Sequence, residues 1–265
     1  MLFEGSVEGA LLAFGLELER AGAAQVGGGF SGDPDADLLL ETVPEAFLLG
    51  VLFTQGIPAE RAWKGPWLLR ERLGHLDLRR LAAEPDAVRE AVQCPPMLHR
   101  FKNTLPEWIS SAAKRLLDEY GGDASAVWAE GSHMLEVIER LSGFRGIGRK
   151  KAVMATEILV RHFGVGLDGR QCGQVAYDVQ VRRVFLRSGL VEYDTLAEVE
   201  SAAARISPEA PGTLDLAAWL IGRDTCRPRQ PRCDECRLGA ACPRRVWLDV
   251  VGVGGPRTRV GAGSG

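Results

Sequence analysis

Four cysteines within one short loop constrain this chain more than any other feature: Cys226-x6-Cys233-x2-Cys236-x5-Cys242. Thiolates so close in sequence can wrap one compact metal centre. A structural zinc site usually pairs two C-x2-C knuckles held apart by a longer segment. Here a single C-x2-C is flanked by wider gaps. That spacing suits a [4Fe–4S] cubane, whose irons each take a thiolate from a different direction. Zinc and a metal-free, redox-sensing set of thiols stand as the alternatives. The other two cysteines lie apart. Cys94 reads as a buried apolar residue, and Cys172, in a Gly-rich polar segment, has no assignment. A disulfide framework would spread its cysteines through a small secreted chain. The first twenty residues hold four Glu and no Lys, unlike a signal peptide. No run of about 18 apolar residues exists to cross a membrane. The expectation is a cytoplasmic chain with reduced thiols.

Elsewhere, apolar residues recur at helical rather than alternating spacing. Pro44 is expected to open a helix carrying Phe47, Leu48, Val51 and Leu52 that stops near Gln55-Gly56, with Pro58 starting the next. Further helical patterns cover about 66–73, 77–83, 85–93, 105–119, 132–142, 149–163, 179–188, 195–206 and 213–223. Thr195 and Glu198 form a capping-box pair. No strand-turn-strand signal is present, so the expected fold class is all-α. Residues 1–34, with Gly27-Gly28-Gly29, read as a helix followed by a linker. Residues 252–265, with Arg257 and Arg259 among many glycines, read as a flexible, weakly basic tail. Trp63, Trp67, Trp108 and Trp128 read as core.

The net charge of −3, from 32 basic and 35 acidic side chains, argues on its face against a nucleic-acid binder. Its distribution reverses that inference. Residues 1–60 carry ten acids and one base, Arg20, a balance of −9 that leaves the rest of the chain at +6. Bases gather at Arg145–Lys151, Arg182–Arg187 and Arg223–Arg245. In the cysteine loop Arg223, Arg227, Arg229, Arg232, Arg237, Arg244 and Arg245 face only Asp224, Asp234 and Glu235. Some offset thiolate charge. Seven exceed that role and leave several for phosphates.

The second motif runs Leu141-Ser142-Gly143-Phe144-Arg145-Gly146-Ile147-Gly148-Arg149-Lys150-Lys151-Ala152. A helix ends, a Gly-x-Gly turn follows and a new helix begins. Small residues at Gly146 and Gly148 let a phosphate approach amides at the positive end of the next helix. Arg149 and Lys150 at that end oppose the dipole, which points to a role outside folding.

This hairpin resembles the helix-hairpin-helix of DNA glycosylases in the endonuclease III superfamily. The cysteine spacing resembles that family's [4Fe–4S] loop, and Val175-Ala176-Tyr177-Asp178-Val179-Gln180-Val181-Arg182-Arg183-Val184 resembles the segment carrying its essential Asp. The three motifs occur in the family's order, and the resemblance covers about residues 36–245. It implies a two-lobed helical fold with a DNA cleft between the lobes. Residues 36–164 would form a bundle ending in the hairpin. Residues 165–245 would form the cluster lobe, with the N-terminal segment 1–35 packed on it and 246–265 as a flexible tail. Lys150 matches the nucleophilic Lys, Asp178 the catalytic Asp, and Cys226, Cys233, Cys236 and Cys242 the cluster ligands. Gln55 resembles the Gln that fills the gap left by an extruded base. Arg145, Gly146, Gly148, Arg149 and Lys151 would contact the DNA backbone. Burial, with Arg149 and Lys151 alongside, would keep the Lys150 amine neutral.

The implied activity is a base-excision DNA glycosylase and abasic-site lyase. It would act as a nucleoid-associated monomer on damaged double-stranded DNA, with oxidised pyrimidines as the usual lesions. The alternatives are a monofunctional glycosylase, one for purine or alkylated lesions, or a non-catalytic DNA-binding or redox-sensing iron–sulfur module. Several positions depart from the family pattern. Phe144-Arg145 stand for the usual Leu-Pro, Val179-Gln180 replace Thr-His, and the spacing from Lys150 to Asp178 is wider. Val165–Gln174 looks like an insertion near the active cleft, either a solvated surface loop or one whose Arg170 and Gln171 reach DNA or the flipped base. In 95–103, Leu98 and Phe101 read as core positions at i and i+3, with Leu98, His99 or Phe101 as a wedge into the base stack the alternative.

Overall fold

The computed structural model describes residues 5–21, 29–248 and 250. The linker 22–28 and most of the expected tail, 249 and 251–265, lie outside the described residues. Among those described there is no strand, only one isolated parallel bridge between His133 and Asp168. The helices are α1 (Val7–Ala21), α2 (Pro34–Thr42), α3 (Pro44–Phe53), α4 (Ala59–Trp63), α5 (Gly65–Leu73), α6 (Leu78–Ala83) and α7 (Pro85–Gln93). They continue with α8 (Thr104–Glu119), α9 (Met134–Ser142), α10 (Arg149–Arg161), α11 (Val179–Arg187), α12 (Leu196–Ile206) and α13 (Thr213–Asp224).

Local chemistry accounts for most boundaries. Proline occupies the first turn of α2, α3, α5 and α7, where its missing N–H has no helical partner to lose. Asp33 caps α2 and Asp77 caps α6 through side-chain oxygens, satisfying amides that the helix leaves unpaired. Thr195 caps α12 by accepting the Glu198 amide. The other half of the capping box differs: Glu198 Oε2 accepts the amides of Glu192 and Tyr193.

Two separate cores form. The first gathers α2–α10 around α3, in which every residue from Ala46 to Phe53 is buried. A helix apolar on all faces belongs inside a domain, and α2, α4, α5 and α8 surround it. The second core joins α11, α12 and α13 with α1, through Leu11, Leu18, Val184, Phe185, Leu214 and Ala218 among others. Helix α1 approaches α13 so closely that a Cβ on Gly15 would lie 2.4 Å from the Thr213 carbonyl oxygen. Residues 246–248 are not free of this core. Arg187 Nε donates to the Leu248 carbonyl at 2.7 Å, and the Arg245 amide donates to the Arg187 carbonyl at 3.0 Å. The two cores are joined through 162–177, so α10 ends one and α11 begins the other.

Candidate active site

The hairpin is built from α9, the turn 143–148 and α10. Phe144 and Ile147 are buried and anchor the turn, with the Ile147 amide donating to the Phe144 carbonyl. Gly146 lies between them at φ +89°, and a Cβ there would meet the Trp108 ring at 2.5 Å. Only glycine fits that conformation and that contact. Gly148 is the N-cap of α10 with no side-chain capping bond and with open space where a Cβ would sit. The first amides of α10 therefore have no cap, as an anion-binding helix end requires.

Lys150 stands one residue into α10, and Asp178 is the N-cap of α11. Their side chains meet across the junction between the two cores, Lys150 Nζ donating to Asp178 Oδ2 at 3.0 Å. Asp178 Oδ1 accepts the Gln180 amide at 2.9 Å. Asp178 thus caps a helix with one oxygen and holds the amine with the other. The expectation that burial isolates the Lys150 amine is not met: its side chain is 52% exposed and ion-paired, against 18% exposure for Asp178.

Lys151 is the buried lysine. It is 6% exposed, its ammonium donates to the Leu52 carbonyl at 2.9 Å, and it lies 5.7 Å from the Trp108 ring centroid. Burial, then the neighbouring Lys150 charge, pulls its pKa down to about 8. The expected phosphate contact from Lys151 is therefore corrected: its successive position on the helix turns it into the core. Arg145 and Arg149 do remain at the surface. Arg145 lies 4.0 Å from Glu107. Arg149 reaches the Gln174 side-chain oxygen at 2.9 Å and Glu200 at 3.7 Å.

Gln55 is exposed just past the end of α3. The carbonyls at that helix end are taken from two sides, Leu52 by Lys151 and Phe53 by His99. His99 Nδ1 accepts the Phe101 amide, so Nε2 carries the hydrogen given to Phe53 at 3.1 Å. Arg100 also donates to the Gly56 carbonyl at 3.3 Å. Leu98 and His99 are thus core residues rather than wedges, Phe101 is half-buried, and Met97 is the exposed apolar side chain of that loop. Arg170, expected at DNA, pairs with Glu19 of α1 at 3.2 Å.

Cys226, Cys233, Cys236 and Cys242 all line one cavity of about 380 Å³, counting space open to solvent, backed by Val184, Ile221 and Leu238. Among the described residues no group of three metal-binding side chains converges tightly enough to hold a single ion. The four thiols ring this one cavity, so Cys226, Cys233, Cys236 and Cys242 are the residues that would hold a metal group here. The loop is shaped for this enclosure: a Cβ on Gly239 would lie 2.5 Å from the Cys233 carbonyl oxygen. Burial pushes the Cys226 and Cys242 thiols up, whereas metal ligation removes the thiol proton outright.

The arginines near this loop divide in two. Arg182, Arg183 and Arg187, expected as a basic patch, are buried. Arg183 donates to the Cys226 and Gly222 carbonyls, and Arg187 to Arg227, Pro228 and Leu248. Arg182 forms a bidentate pair with Asp194. Arg183 and Arg187 thus hold the cysteine loop to α11, while Arg182 pins the segment that leads into α12. Arg227 and Arg229 are exposed, while Arg232, Arg237 and Arg244 pair with Glu235, Glu17 and Asp234. Cys94, expected inside, is exposed. Sequence reasoning also missed Glu157 and Asp215, two buried carboxylates behind Asp178.

An all-helical, two-core chain with a helix-hairpin-helix leading into a Lys–Asp pair and a four-cysteine loop shares its fold with solved endonuclease III–DNA and thymine-DNA glycosylase structures. Part of its sequence is similar to that of endonuclease III. It is 28% identical over 137 residues to endonuclease III of Thermotoga maritima and 27% identical over 137 residues to that of Synechocystis sp.. Each match covers 51% of this chain, and the chain spans only 55% and 53% of those relatives. No protein-family model matches. A trapped endonuclease III–DNA covalent intermediate aligns with a TM-score of 0.55 at 20% identity, covering 80% of this chain and 92% of that one. A thermostable thymine-DNA glycosylase aligns with a TM-score of 0.62 at 13% identity, covering 91% and 98%.

Proposed function

We propose that this chain is a base-excision DNA glycosylase with abasic-site lyase activity. It would act as a monomer on damaged bases, oxidised pyrimidines foremost, in duplex DNA. The observation that carries this reading is the 3.0 Å contact between Lys150 Nζ and Asp178 Oδ2, an amine and a carboxylate meeting at the lobe junction beside an uncapped helix N-terminus. A base inside a duplex is out of reach, so the nucleotide must rotate out. Gln55 fills the gap, its amide donating and accepting toward the orphaned partner base. The α10 amides, Gly146, Gly148, Arg145 and Arg149 receive the phosphates.

Asp178 takes a proton from Lys150 and frees its lone pair. The nitrogen attacks the sugar C1′, the glycosidic bond breaks, and the base leaves with its electron pair and takes up a proton. The C1′–O4′ bond then opens, the proton on the attached nitrogen passing to O4′, and the iminium so formed acidifies the C2′ proton. Its removal breaks the C3′–O bond, the phosphate leaving, and hydrolysis returns Lys150. Asp178 passes the proton it took to the departing base, and its restored carboxylate then stabilises the cationic sugar. Cys226, Cys233, Cys236 and Cys242 would hold a [4Fe–4S] cluster, which supplies a structural pin for the basic loop. Purified protein should then be yellow-brown and contain iron and sulfide; stoichiometric zinc without iron refutes this.

Borohydride reduction during reaction with lesion-containing or abasic duplex should trap a covalent complex. Lys150→Gln should abolish it. An adduct that persists in Lys150→Gln removes the nucleophile assignment, and base release without strand cleavage reduces the activity to a monofunctional glycosylase.

A further inference from the structure

Ahead of Asp178 the chain crosses between cores through residues 173–177, which form no helix or strand. In this crossover, buried carboxylates from both cores close on the backbone. The Ala176 amide donates to Asp215 Oδ1 at 2.6 Å, and Glu157 packs against Gly173. Glu157 lies on α10, two turns beyond Lys150, and Asp215 lies in the first turn of α13. Arg161 sits between them, its Nε 3.3 Å from Glu157 Oε2 and its terminal nitrogen 3.9 Å from Asp215 Oδ2. Glu157 is 3% exposed, Asp215 7%, and the Arg161 side chain 6%.

The packing leaves no slack. A Cβ on Gly173 would lie 3.0 Å from Glu157 Oε1, and one on Gly212 would lie 2.0 Å from it. Residue 174 is held by Arg149 through its side chain. Residue 176 is bound by Asp215, and residue 178 by Lys150. For stability alone this is a poor arrangement, because two buried carboxylates share one guanidinium. Burial pushes Glu157 up to about 7 and Asp215 up to about 6. An apolar pair of similar volume would hold the lobes together without that penalty, but it would accept no amide.

We propose that Asp215, backed by Arg161 and Glu157, is a positioning residue that clamps the crossover at the Ala176 amide and so delivers the Asp178 carboxylate to Lys150. This rests on reading Lys150 and Asp178 as the reacting pair. A misplacement of about 1 Å at reacting groups costs on the order of 100-fold in rate.

The test compares the full-length protein with Asp215→Ala and Asp215→Asn. It measures the single-turnover rate of borohydride trapping on abasic duplex, and the affinity for duplex carrying a non-cleavable abasic analogue. Asp215→Ala should lose on the order of 100-fold in rate at unchanged affinity. Asp215→Asn, whose amide oxygen still accepts from Ala176, should recover most of the rate. Asp215→Leu replaces the alanine variant if that one does not fold. A wild-type rate in Asp215→Ala overturns the proposal. So does an asparagine variant as slow as the alanine one, or a loss of rate and affinity in step. If the wild-type protein neither excises nor traps, the functional reading fails on its own. The clamp is then read from hydrogen exchange at the Ala176 amide: faster exchange in Asp215→Ala supports it, and unchanged exchange overturns it.

Discussion

Lys150 and Lys151 are adjacent and chemically identical, yet one faces solvent and the other the core. Successive helix positions are about 100° apart, so α10 divides them: Lys150 to Asp178, Lys151 to the Leu52 carbonyl beneath Trp108. The lowered pKa of Lys151, about 8 against 10.5, means the stability it carries is complete above pH 10.5 and is lost as pH falls through 8. At pH 7 a charged amine is held inside, at a cost of about 3 kcal/mol. Lys151→Met keeps the aliphatic bulk and removes that charge. Its melting temperature relative to wild type should therefore be more favourable at pH 7 than at pH 10; the reverse ordering would mean the Leu52 hydrogen bond outweighs the desolvation. The sequence does carry a sign of this burial. Lys151 lies four residues before Ala155 and eight before Leu159, both buried, on one helical stripe. A run of three bases masks that stripe when read for charge alone. The exposure of Cys94 has no comparable local sign.

At the scale of elements, the hairpin shows two glycines doing different jobs. Gly146 needs its left-handed backbone and its contact with Trp108, while Gly148 sits at an ordinary φ of −87° with open space around it. Gly146→Ala should cost about 2–4 kcal/mol, from left-handed strain and overpacking together. Gly148→Ala should cost at most about 1 kcal/mol while weakening DNA binding, because its methyl group obstructs the approach of a phosphate. Thermal melts and DNA titration of both variants separate the roles; equal melting temperatures would remove the distinction. Helix positions were legible because proline, caps and apolar stripes are local. The pattern from Pro44 through Leu52, for instance, falls on α3 as observed. The burial of Arg182, Arg183 and Arg187 was not legible. The carbonyl partners of Arg183 and Arg187, at Gly222, Cys226, Arg227, Pro228 and Leu248, come from the end of α13 and the loop after it, about forty to sixty residues downstream, and only the folded second core brings them together. The same holds for Glu157 and Asp215, which in sequence are ordinary helix acids.

Over the whole molecule, this carboxylate pair makes the joint between the cores sensitive to pH. The groups facing Glu157 are Arg161, Asp215, Arg170 and the Gln174 amide. Those facing Asp215 are Arg161, the Ala176 amide and Asp178. Burial outweighs Arg161 at both sites, raising Glu157 to about 7 and Asp215 to about 6. A raised acid pKa favours folding most below the ordinary carboxylate range, and that contribution is lost as pH rises through the folded value. His99 and His162, both lowered by burial, act oppositely and lose stability as pH falls. The raw melting curve against pH therefore mixes signs, and the informative quantity is a difference between variants. Gln at 157 imitates the protonated Glu: it keeps an acceptor for the Gln174 amide and has no charge to bury. Glu157→Gln should match wild type near pH 5 and become the more stable protein by about 1–3 kcal/mol at pH 8, so that its stability depends less on pH. Chemical denaturation at both pH values measures this. A Gln variant that falls further behind wild type as pH rises would show instead that the ion pair with Arg161 dominates and that Glu157 is held charged at the joint.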